Sequence, residues 1–374
     1  MKANMLEHLE ETALRVPCSV AFYDDRESLT FAALREIARR IGSRLAEITP
    51  PRAPVALLLD ARSIRNLPAL YGVLYAGCAY APLDIAMPAE RLSLLLSLLR
   101  PAAVVADARG LQALAACGAP NCPVVSYADA AAYPIAETAL SAVRRQASVY
   151  DPLSILYTSG STGIPKGSVQ THFSYLHWTE ATIKTYGLGE DTVFGNQSPF
   201  FYANSILDIF PPVALGAKVY LLPSGVLSFP KKLIACLNDQ KITELCMTPS
   251  SFIGVANSGA LTAGSLPALK WGIMSGEAMP WEPLKVWMEA TPGADWWHCY
   301  GSTEMFSVAV GRVARDHQKG DRLPVGRPFS LAHILFVDEN GDELPPGVPG
   351  EMLVSSPWIA SGYHRDPERT AEAW

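Results

Sequence analysis

Residues 156–167, with the sequence LYTSGSTGIPKG, have the composition of a loop that binds phosphate. Small hydroxyl residues and glycines let backbone N–H groups come close to an anion, and Lys166 adds a mobile positive charge. Apolar residues precede the loop and a helix-like pattern follows it. This predicts that the loop lies at the carboxyl end of a strand, where phosphate sites form. A flexible linker rich in Ser and Gly would lack these flanking patterns.

The loop does not belong to the Walker class of phosphate-binding loops. That motif requires Gly-Lys followed by Ser or Thr, whereas Lys166 lies between Pro165 and Gly167. The loop alone therefore indicates that phosphate is bound, and the rest of the chain has to indicate which chemistry follows.

The elements around the loop alternate between short β-rich runs and helix-like stretches, a pattern typical of parallel sheets covered by helices on both faces. The predicted strands are residues 54–59, 102–106, 123–126, 153–158, 218–222, 243–247, 269–274 and 295–298. The predicted helices are residues 31–45, 64–75, 89–99, 172–185, 206–214, 230–238 and 281–288. The Ala-rich stretch 128–148 is interpreted as a surface crossover.

The character of the sequence changes after residue 311. Two β-like runs, 332–338 and 351–355, flank Asn340-Gly341, which is a typical hairpin turn pair. We therefore expect an α/β protein with two three-layer subdomains built on mainly parallel sheets, at about residues 1–175 and 176–311. A small β-barrel-like subdomain would cover residues 312–374.

Composition narrows the class of protein. The 374 residues are 49% hydrophobic and 18% charged, which describes a packed globular chain long enough for two or three lobes. The net charge of -6 gives no electrostatic reason to expect nucleic acid or an anionic membrane as partner. Acidic residues near the N-terminus argue against a secretory signal, and no apolar run is long enough for a bilayer. The seven scattered cysteines indicate neither a disulfide framework nor a zinc site. We expect a cytoplasmic protein.

Five segments in sequence order resemble the core motifs of the AMP-forming adenylating enzymes. This superfamily includes acyl-CoA ligases, the adenylation domains of nonribosomal peptide synthetases and D-alanine-activating ligases. The segments are LTF at 29–31, LYAGCAYAPLD at 74–84, the loop at 156–167, CYGSTE at 299–304, and GEMLV at 350–354 leading to Gly362-Tyr363. The resemblance spans nearly the whole chain and implies the N-terminal core of such an enzyme.

The resemblance implies a site for ATP and Mg²⁺. Lys166, Thr303 and Glu304 would be catalytic, with Thr303 at the α-phosphate and Glu304 as the metal ligand, while Tyr300 would stack on adenine. The loop residues that would hold the triphosphate are Thr158, Ser159, Gly160, Ser161, Thr162, Gly163 and Lys166. The rest of the nucleotide site would be Gly276, Glu277, Ala278, His298, Cys299, Gly301 and Ser302. A packed core histidine explains His298, beside Trp296 and Trp297, equally well.

These residue types suit adenylation. In that reaction a carboxylate attacks the α-phosphate of ATP and expels pyrophosphate. The nucleophile is already ionised at neutral pH, so no general base is needed. Catalysis then consists of alignment and neutralisation of phosphate charge. Two other classes remain open: a kinase-like phosphotransferase, which would release ADP, and a degenerate nucleotide-binding domain without catalysis.

The acid pocket contains a departure from the family pattern. Members that activate α-amino acids place an aspartate in a Phe-Asp-x-Ser pattern, and here Ala203 occupies that position. The other residues expected in the pocket are Asn204, Leu207, Cys246, Ile273, Ser275, Cys299, Ser307 and Val308. None is charged, and burying an ammonium group without a counter-ion costs roughly several kcal/mol. We hypothesise a small carboxylic acid without a free α-ammonium group. A shifted alignment, or an amine held by Asp208, is the alternative.

The resemblance also implies partners. The activated acid would pass to the phosphopantetheine thiol of a carrier protein or to CoA, and residues 80–84 and 200–210 favour the carrier-linked branch. A ribose-binding Thr-Gly-Asp segment and a mobile C-terminal domain with a catalytic lysine are typical of the family. Neither lies before Trp374. We expect the chain to adenylate weakly without its own C-terminal domain.

Overall fold

A computed structural model describes residues 2–118, 120–158, 163–317 and 323–374. The strands are β1 Val20–Tyr23, β2 Ser28–Thr30, β3 Pro54–Leu58, β4 Ala79–Pro82, β5 Ala103–Ala106, β6 Val124–Ser126, β7 Pro152–Thr158, β8 Lys166–Thr171, β9 Val193–Asn196, β10 Lys218–Leu221, β11 Glu244–Met247, β12 Trp271–Ser275, β13 Asp295–Ser302, β14 Phe306–Arg312, β15 Arg327–Pro328, β16 His333–Val337 and β17 Glu351–Ser355. The α-helices are α1 Leu6–Arg15, α2 Phe31–Ile48, α3 Asn66–Tyr75, α4 Ala89–Leu99, α5 Ala108–Cys117, α6 Tyr127–Ala132, α7 Glu137–Gln146, α8 His172–Tyr186, α9 Phe210–Leu215, α10 Pro230–Asp239, α11 Pro249–Asn257, α12 Trp281–Ala290 and α13 Pro367–Ala373.

The first sheet has six strands in the order β6-β5-β3-β4-β7-β8. Its strands are parallel except β8, which runs antiparallel to β7 at the edge. The central strands β4 and β5 are buried along their whole length. Such continuous apolar strands are typical of a parallel sheet covered on both faces.

The second sheet has nine strands in the order β15-β14-β13-β12-β11-β9-β10-β1-β2. It is parallel from β13 to β1 and antiparallel at both ends. Strand β1 pairs with β10, with Phe22 opposite Val219, although β1 lies near the N-terminus. From β3 onwards the two sheets divide between β8 and β9, near residue 175, whereas the N-terminal strands β1 and β2 belong to the second sheet.

The loop at 156–167 is followed by a strand and not directly by a helix, so that part of the prediction is wrong. Strand β8 returns antiparallel along β7, and α8 begins only at His172. The two strands pack closely, since a Cβ atom at Gly167 would lie 2.9 Å from the Ile155 side chain. Residues 156–158 and 166–167 thus belong to the two strands of a β-hairpin.

Proline positions explain two further differences. Residues 128–148 are not an irregular crossover but two helices, α6 and α7. Pro134 separates them, since the residue before a proline, Tyr133, takes an extended conformation. The predicted helix at 206–214 is likewise two pieces, a 3₁₀ turn at Ala203–Asp208 and then α9. Pro211 and Pro212 lack N–H groups, which favours their place in a new first turn.

The β-rich segment after residue 311 contains the antiparallel pair β16 and β17, with Leu335 opposite Leu353. Beyond it, the chain returns to the edge of the first sheet, where Tyr363 forms an antiparallel bridge with Ser168 of β8. Among the described residues, no helix combines the length and the apolarity needed to cross a lipid bilayer.

Candidate active site

The tip of the β7–β8 hairpin holds the predicted phosphate loop. Thr158 ends β7 opposite Lys166, which begins β8, and Gly163 lies between them in the chain with φ 81°. The predicted loop residues Ser159, Gly160, Ser161 and Thr162 lie outside the described residues. The strand pairing thus fixes the backbone of Lys166, the lysine predicted to bind phosphate.

A second hairpin, formed by β13 and β14, carries Tyr300 to Glu304. The pairing shifts between Tyr300 and Gly301, which marks a β-bulge. A Cβ atom at Gly301 would lie 1.6 Å from the carbonyl oxygen of Phe306, so only glycine fits here. Tyr300 is 42% exposed. The bulge therefore fixes the backbone of the turn while Tyr300 leaves an aromatic face accessible, as the predicted contact with adenine requires.

Gln170 connects the two hairpins. Its side-chain amide nitrogen donates to the carbonyl oxygens of Thr303, at 3.2 Å, and Glu304, at 3.1 Å. Gln170 lies on β8 and is fully buried. Gln170 was not among the predicted site residues, since a lone glutamine in a strand belongs to no motif.

Tyr363 bridges the two charged residues that the resemblance placed at ATP. Lys166 Nζ donates to the Tyr363 hydroxyl at 3.3 Å, and that hydroxyl donates to Glu304 Oε1 at 2.9 Å. Burial, together with the Glu304 carboxylate, raises the pKa of Tyr363 to about 12, so the phenol stays protonated. The structure therefore brings Lys166 and Glu304 to one phenol group, although they are far apart in sequence.

The segment Gly276 to Ala278 follows β12, the strand that pairs with β13 of the second hairpin. Gly276 lines the cavity described below, whereas the Glu277 carboxylate accepts from the Ser250 backbone N–H at 2.8 Å and so lies at the start of α11. Ala278 is exposed. His298 is only 2% exposed, and its two ring nitrogens lie 3.2 Å from the carbonyl oxygens of Pro324 and Glu277. Each ring nitrogen therefore faces a backbone carbonyl oxygen, and a nitrogen that carries a proton can donate to it.

One cavity of about 460 Å³ joins the predicted acid pocket to the nucleotide residues. The predicted residues that line it are Ala203, Asn204, Leu207, Cys246, Ile273, Ser275, Gly276, Cys299, Gly301, Ser302, Thr303 and Ser307. Lining residues that the sequence analysis missed are Trp178, Tyr186, Gln197, Ser198, Pro199, Tyr202, Ile206, Thr248, Ser251 and Phe306. Val308, also predicted, is fully buried in the core instead, because side chains alternate along β14 and Ser307 takes the cavity side.

None of the described residues that line this cavity carries a charge. Two carboxyl groups are buried nearby without lining it. Asp208 accepts from the Asn196 side-chain amide at 2.8 Å, while both Glu244 oxygens lack a partner among the described residues. Burial raises the pKa of both carboxyl groups well above the ordinary range. Because Asp208 does not line the cavity and is bonded to Asn196, it is poorly placed as a counter-ion for an amine there.

The two cysteines that line the cavity are not suited to nucleophilic chemistry. Burial raises the pKa of Cys299 to about 12, and the Tyr186 hydroxyl lies 3.0 Å from its sulfur atom. Burial also raises the pKa of Cys246, to which the nearby carboxyl groups contribute. Since the thiolate is the reactive form, these thiols act as small, neutral wall groups.

The residues present can accommodate a magnesium ion that is bound mainly by phosphates. Such an ion takes one or two carboxylate ligands from the protein and completes its shell with phosphate oxygens and water. Glu304 supplies a partly buried carboxylate beside the hairpin turn. No cluster of three His, Cys, Asp or Glu side chains in the described part of the chain forms an all-protein metal site.

A family model described as "AMP-binding enzyme" matches residues 9–364. Curated relatives include the D-alanine--D-alanyl carrier protein ligase of Lactiplantibacillus plantarum, 28% identical over 383 residues, covering 100% of this chain and 73% of that protein. The ligase of the same name from Bacillus anthracis is 28% identical, covering 99% of this chain and 73% of that protein.

Solved structures share the fold. The nonribosomal peptide synthetase FmoA3 superposes with a TM-score of 0.89 at 24% identity, covering 100% of this chain and 40% of that one. The Klebsiella oxytoca NpsA N-terminal subdomain, in complex with 3-hydroxyanthranilyl-AMSN, superposes with a TM-score of 0.83 at 20% identity, covering 100% of this chain and 90% of that one.

Proposed function

The chain belongs to the AMP-binding enzyme family, and from this premise we propose that it activates a small carboxylic acid as its acyl-adenylate, using ATP and releasing pyrophosphate. The observation that carries the proposal is the shared cavity. It connects the uncharged pocket around Ala203 to Gly301 and Thr303 of the second hairpin, next to the cluster of Lys166 and Glu304. An acid bound at one end would have its carboxylate near a nucleotide bound at the other.

The chain's own residues would act by alignment and charge. Lys166 would donate to the phosphates of ATP, where its charge opposes the negative charge that develops in the transition state. Thr303 lines the cavity together with Gly301 and Ser302, and we assign it the contact with the α-phosphate. No residue has to remove a proton, because the attacking carboxylate is ionised. Alignment of two reactants within one cavity supplies the remaining acceleration.

Magnesium, when bound with ATP, would neutralise part of the phosphate charge. Glu304 is the residue that would hold it. Its carboxylate is kept in place by the Tyr363 hydroxyl and by the contact of its own carbonyl oxygen with Gln170.

We further propose that the acid lacks a free α-ammonium group. The support is the neutral lining of the cavity in the described residues, with Ala203 at the position where amino-acid activators carry an aspartate. Asp208 gives no counter-ion in the cavity, because it does not line it and is bonded to Asn196. Aryl, keto and hydroxy acids of a size that fits about 460 Å³ are the candidates.

The proposed acceptor is the phosphopantetheine thiol of a carrier protein, and the proposed location is the cytoplasm. The names of the curated relatives, which are carrier protein ligases, support the acceptor. Acyl transfer to CoA is the alternative. Since the chain spans 73% of these relatives, a C-terminal domain that contributes a lysine to the reacting centre is part of the proposal.

Product analysis tests the reaction class. The chain is incubated with ATP, Mg²⁺ and a mixture of candidate acids, and the nucleotides are separated by chromatography. Adenylation gives AMP and pyrophosphate, with the acyl-adenylate detectable by mass spectrometry when enzyme is in excess. Formation of ADP would support a phosphotransferase instead, and acid-independent hydrolysis would refute the proposal.

A further inference from the structure

We propose that Tyr363 is a positioning residue of the nucleotide site, which keeps Lys166 and Glu304 from pairing with each other. This inference rests on the proposed function, because it gives the two charged groups their roles at ATP. Lys166 and Glu304 have opposite charges and both contact the same hydroxyl group. The phenol separates them by accepting from one and donating to the other.

The separation matters because a direct ion pair would compete with the ligand. A close pair between an ammonium group and a carboxylate in a partly buried site is hard to break, since removing one partner leaves the other charge uncompensated. By contrast, the Lys166 contact with the Tyr363 hydroxyl is long, at 3.3 Å, and one of its partners is neutral. Phosphate can displace such a contact at low cost.

The aromatic ring gives Lys166 a second weak contact. Lys166 Nζ lies 4.7 Å from the centre of the Tyr363 ring, within the range of a cation–π interaction. The ammonium group is therefore held near the loop by two contacts, neither of which neutralises its charge.

The backbone around Tyr363 is fixed independently of the two charged side chains. Val169 donates its backbone N–H to the Gly362 carbonyl oxygen at 3.0 Å, and His364 donates to that of Gly167 at 2.7 Å. The Tyr363 N–H donates to Thr370 Oγ1 at 2.9 Å. The phenol is thus held by the edge of the first sheet, so its position does not depend on Lys166 or Glu304.

The affinity for ATP measured without metal tests whether Tyr363 keeps Lys166 and Glu304 apart. Under this condition Glu304 binds no metal, so its only effect on ATP would be through Lys166. Removing the hydroxyl group in Tyr363→Phe lets Lys166 pair with Glu304, so we expect metal-free ATP to bind roughly tenfold more weakly. In the double variant Tyr363→Phe with Glu304→Gln, the competing carboxylate is gone, and affinity should return to within about twofold of wild type. Isothermal titration calorimetry measures all three.

Tyr133 provides a matched control, because its hydroxyl group and ring make the same kinds of contact outside the candidate site. The Tyr133 hydroxyl also donates to a glutamate, Glu47 Oε1, at 2.8 Å, and a cation, Arg44, lies over its ring at 5.5 Å. Tyr133 does not line the cavity. The variant Tyr133→Phe should leave ATP affinity unchanged.

The outcomes separate the inference from the function on which it rests. If wild type binds ATP but Tyr363→Phe binds it equally well, or if the double variant stays as weak as the single one, Tyr363 does not separate the charges and the inference is wrong. A lower thermal midpoint for Tyr363→Phe with unchanged ATP affinity would also overturn it. If wild type binds no ATP even with Mg²⁺ present, the proposed function itself fails.

Discussion

The side-chain amide of Gln170 lies 3.1 Å from the carbonyl oxygen of Glu304, and this contact joins the two hairpins of the candidate site. Strand β8 begins at Lys166, and Glu304 lies in the turn of the second hairpin, between β13 and β14. The two sheets contribute one hairpin each, so the relative position of the charged residues depends on this buried amide.

We expect Gln170→Leu to disturb the site more than its small change in volume suggests. The substitution removes the Gln170 donor from the carbonyl oxygen of Thr303, while the carbonyl oxygen of Glu304 keeps the Ala360 backbone N–H at 2.7 Å. An unsatisfied buried polar group costs about 1–3 kcal/mol. The free energy of unfolding, from urea titration, should fall by about that amount, and the acid-dependent release of pyrophosphate should fall roughly tenfold.

The control is Gln146→Leu, at the exposed end of α7. It should change neither quantity. If Gln170→Leu and Gln146→Leu gave the same activity, the two hairpins would not depend on Gln170 for their alignment.

Ala203→Asp should shift the substrate preference of the acid pocket towards α-amino acids. An aspartate at this position adds a carboxylate to a lining that is otherwise uncharged in the described residues. It would compensate a substrate ammonium group. We expect the ratio of rates for an α-amino acid and its α-hydroxy counterpart to rise by about tenfold or more. The control Ala203→Asn adds a side chain of the same shape as aspartate but without charge, and it should leave that ratio near the wild-type value. Equal shifts in both variants would show that shape, and not charge, selects the acid.

Gly301→Ala tests whether the bulge is needed for the nucleotide turn. The added Cβ would lie 1.6 Å from the Phe306 carbonyl oxygen, so the backbone of the hairpin has to move. We expect ATP affinity to fall by about an order of magnitude or more and stability to fall by roughly 2–4 kcal/mol.

Gly254→Ala is the control, because there is room for the added Cβ atom at Gly254. Gly254 lies within α11, and nothing lies within 4 Å of a Cβ atom built there. Because alanine favours helix, stability should rise by about 0.5–1 kcal/mol, with ATP affinity unchanged. Normal ATP binding by Gly301→Ala would mean that the turn is more adaptable than its close packing implies.

The buried carboxyl groups predict how stability depends on pH. Burial raises the pKa of Asp208 and Glu244 in the folded state, so the folded chain retains protons that the unfolded chain releases. Their contribution to stability is therefore fully present below the ordinary carboxyl pKa of about 4. It is lost progressively as pH rises through the raised values.

Glu244→Gln removes a group that must otherwise be kept protonated. It should raise the free energy of unfolding by about 1–2 kcal/mol near pH 8 and weaken its decline with pH. The exposed Glu339→Gln serves as control and should change neither. A stability decline with pH that is as steep in Glu244→Gln as in wild type would contradict this assignment.

Local patterns predicted much of the fold. The helix at residues 89–99 has the bounds that the sequence predicted, and α2 and α8 begin at the predicted residues. In α2 and α8 the preceding threonine, Thr30 or Thr171, caps the first turn, which is a signal carried by the sequence itself. The strands of the parallel sheets were found because they are short, apolar and separated by turns.

The remaining differences arise from long-range pairing. Nothing within residues 20–30 indicates that β1 adds to β10, about 200 residues away, because strand partners are set by the tertiary fold. The hairpin at 156–167 was interpreted as a strand and a helix since β8 is rich in small and polar residues. Gln170 was not predicted, and Tyr363 was identified only as part of a motif and not as a site residue, because their contacts join elements that are distant in sequence.

Acid-dependent exchange of labelled pyrophosphate into ATP tests the central claim most directly, because it reports the reversible formation of an acyl-adenylate. The assay compares matched α-hydroxy, α-keto, aryl and α-amino acids on wild type and on Lys166→Ala. We expect exchange that requires an acid, is strongest for an acid without an α-ammonium group, and falls at least about a hundredfold in Lys166→Ala. Exchange that is strongest with an ordinary α-amino acid would contradict the proposed acid class. Exchange that is absent with every acid, or unaffected by Lys166→Ala, would contradict the proposed chemistry.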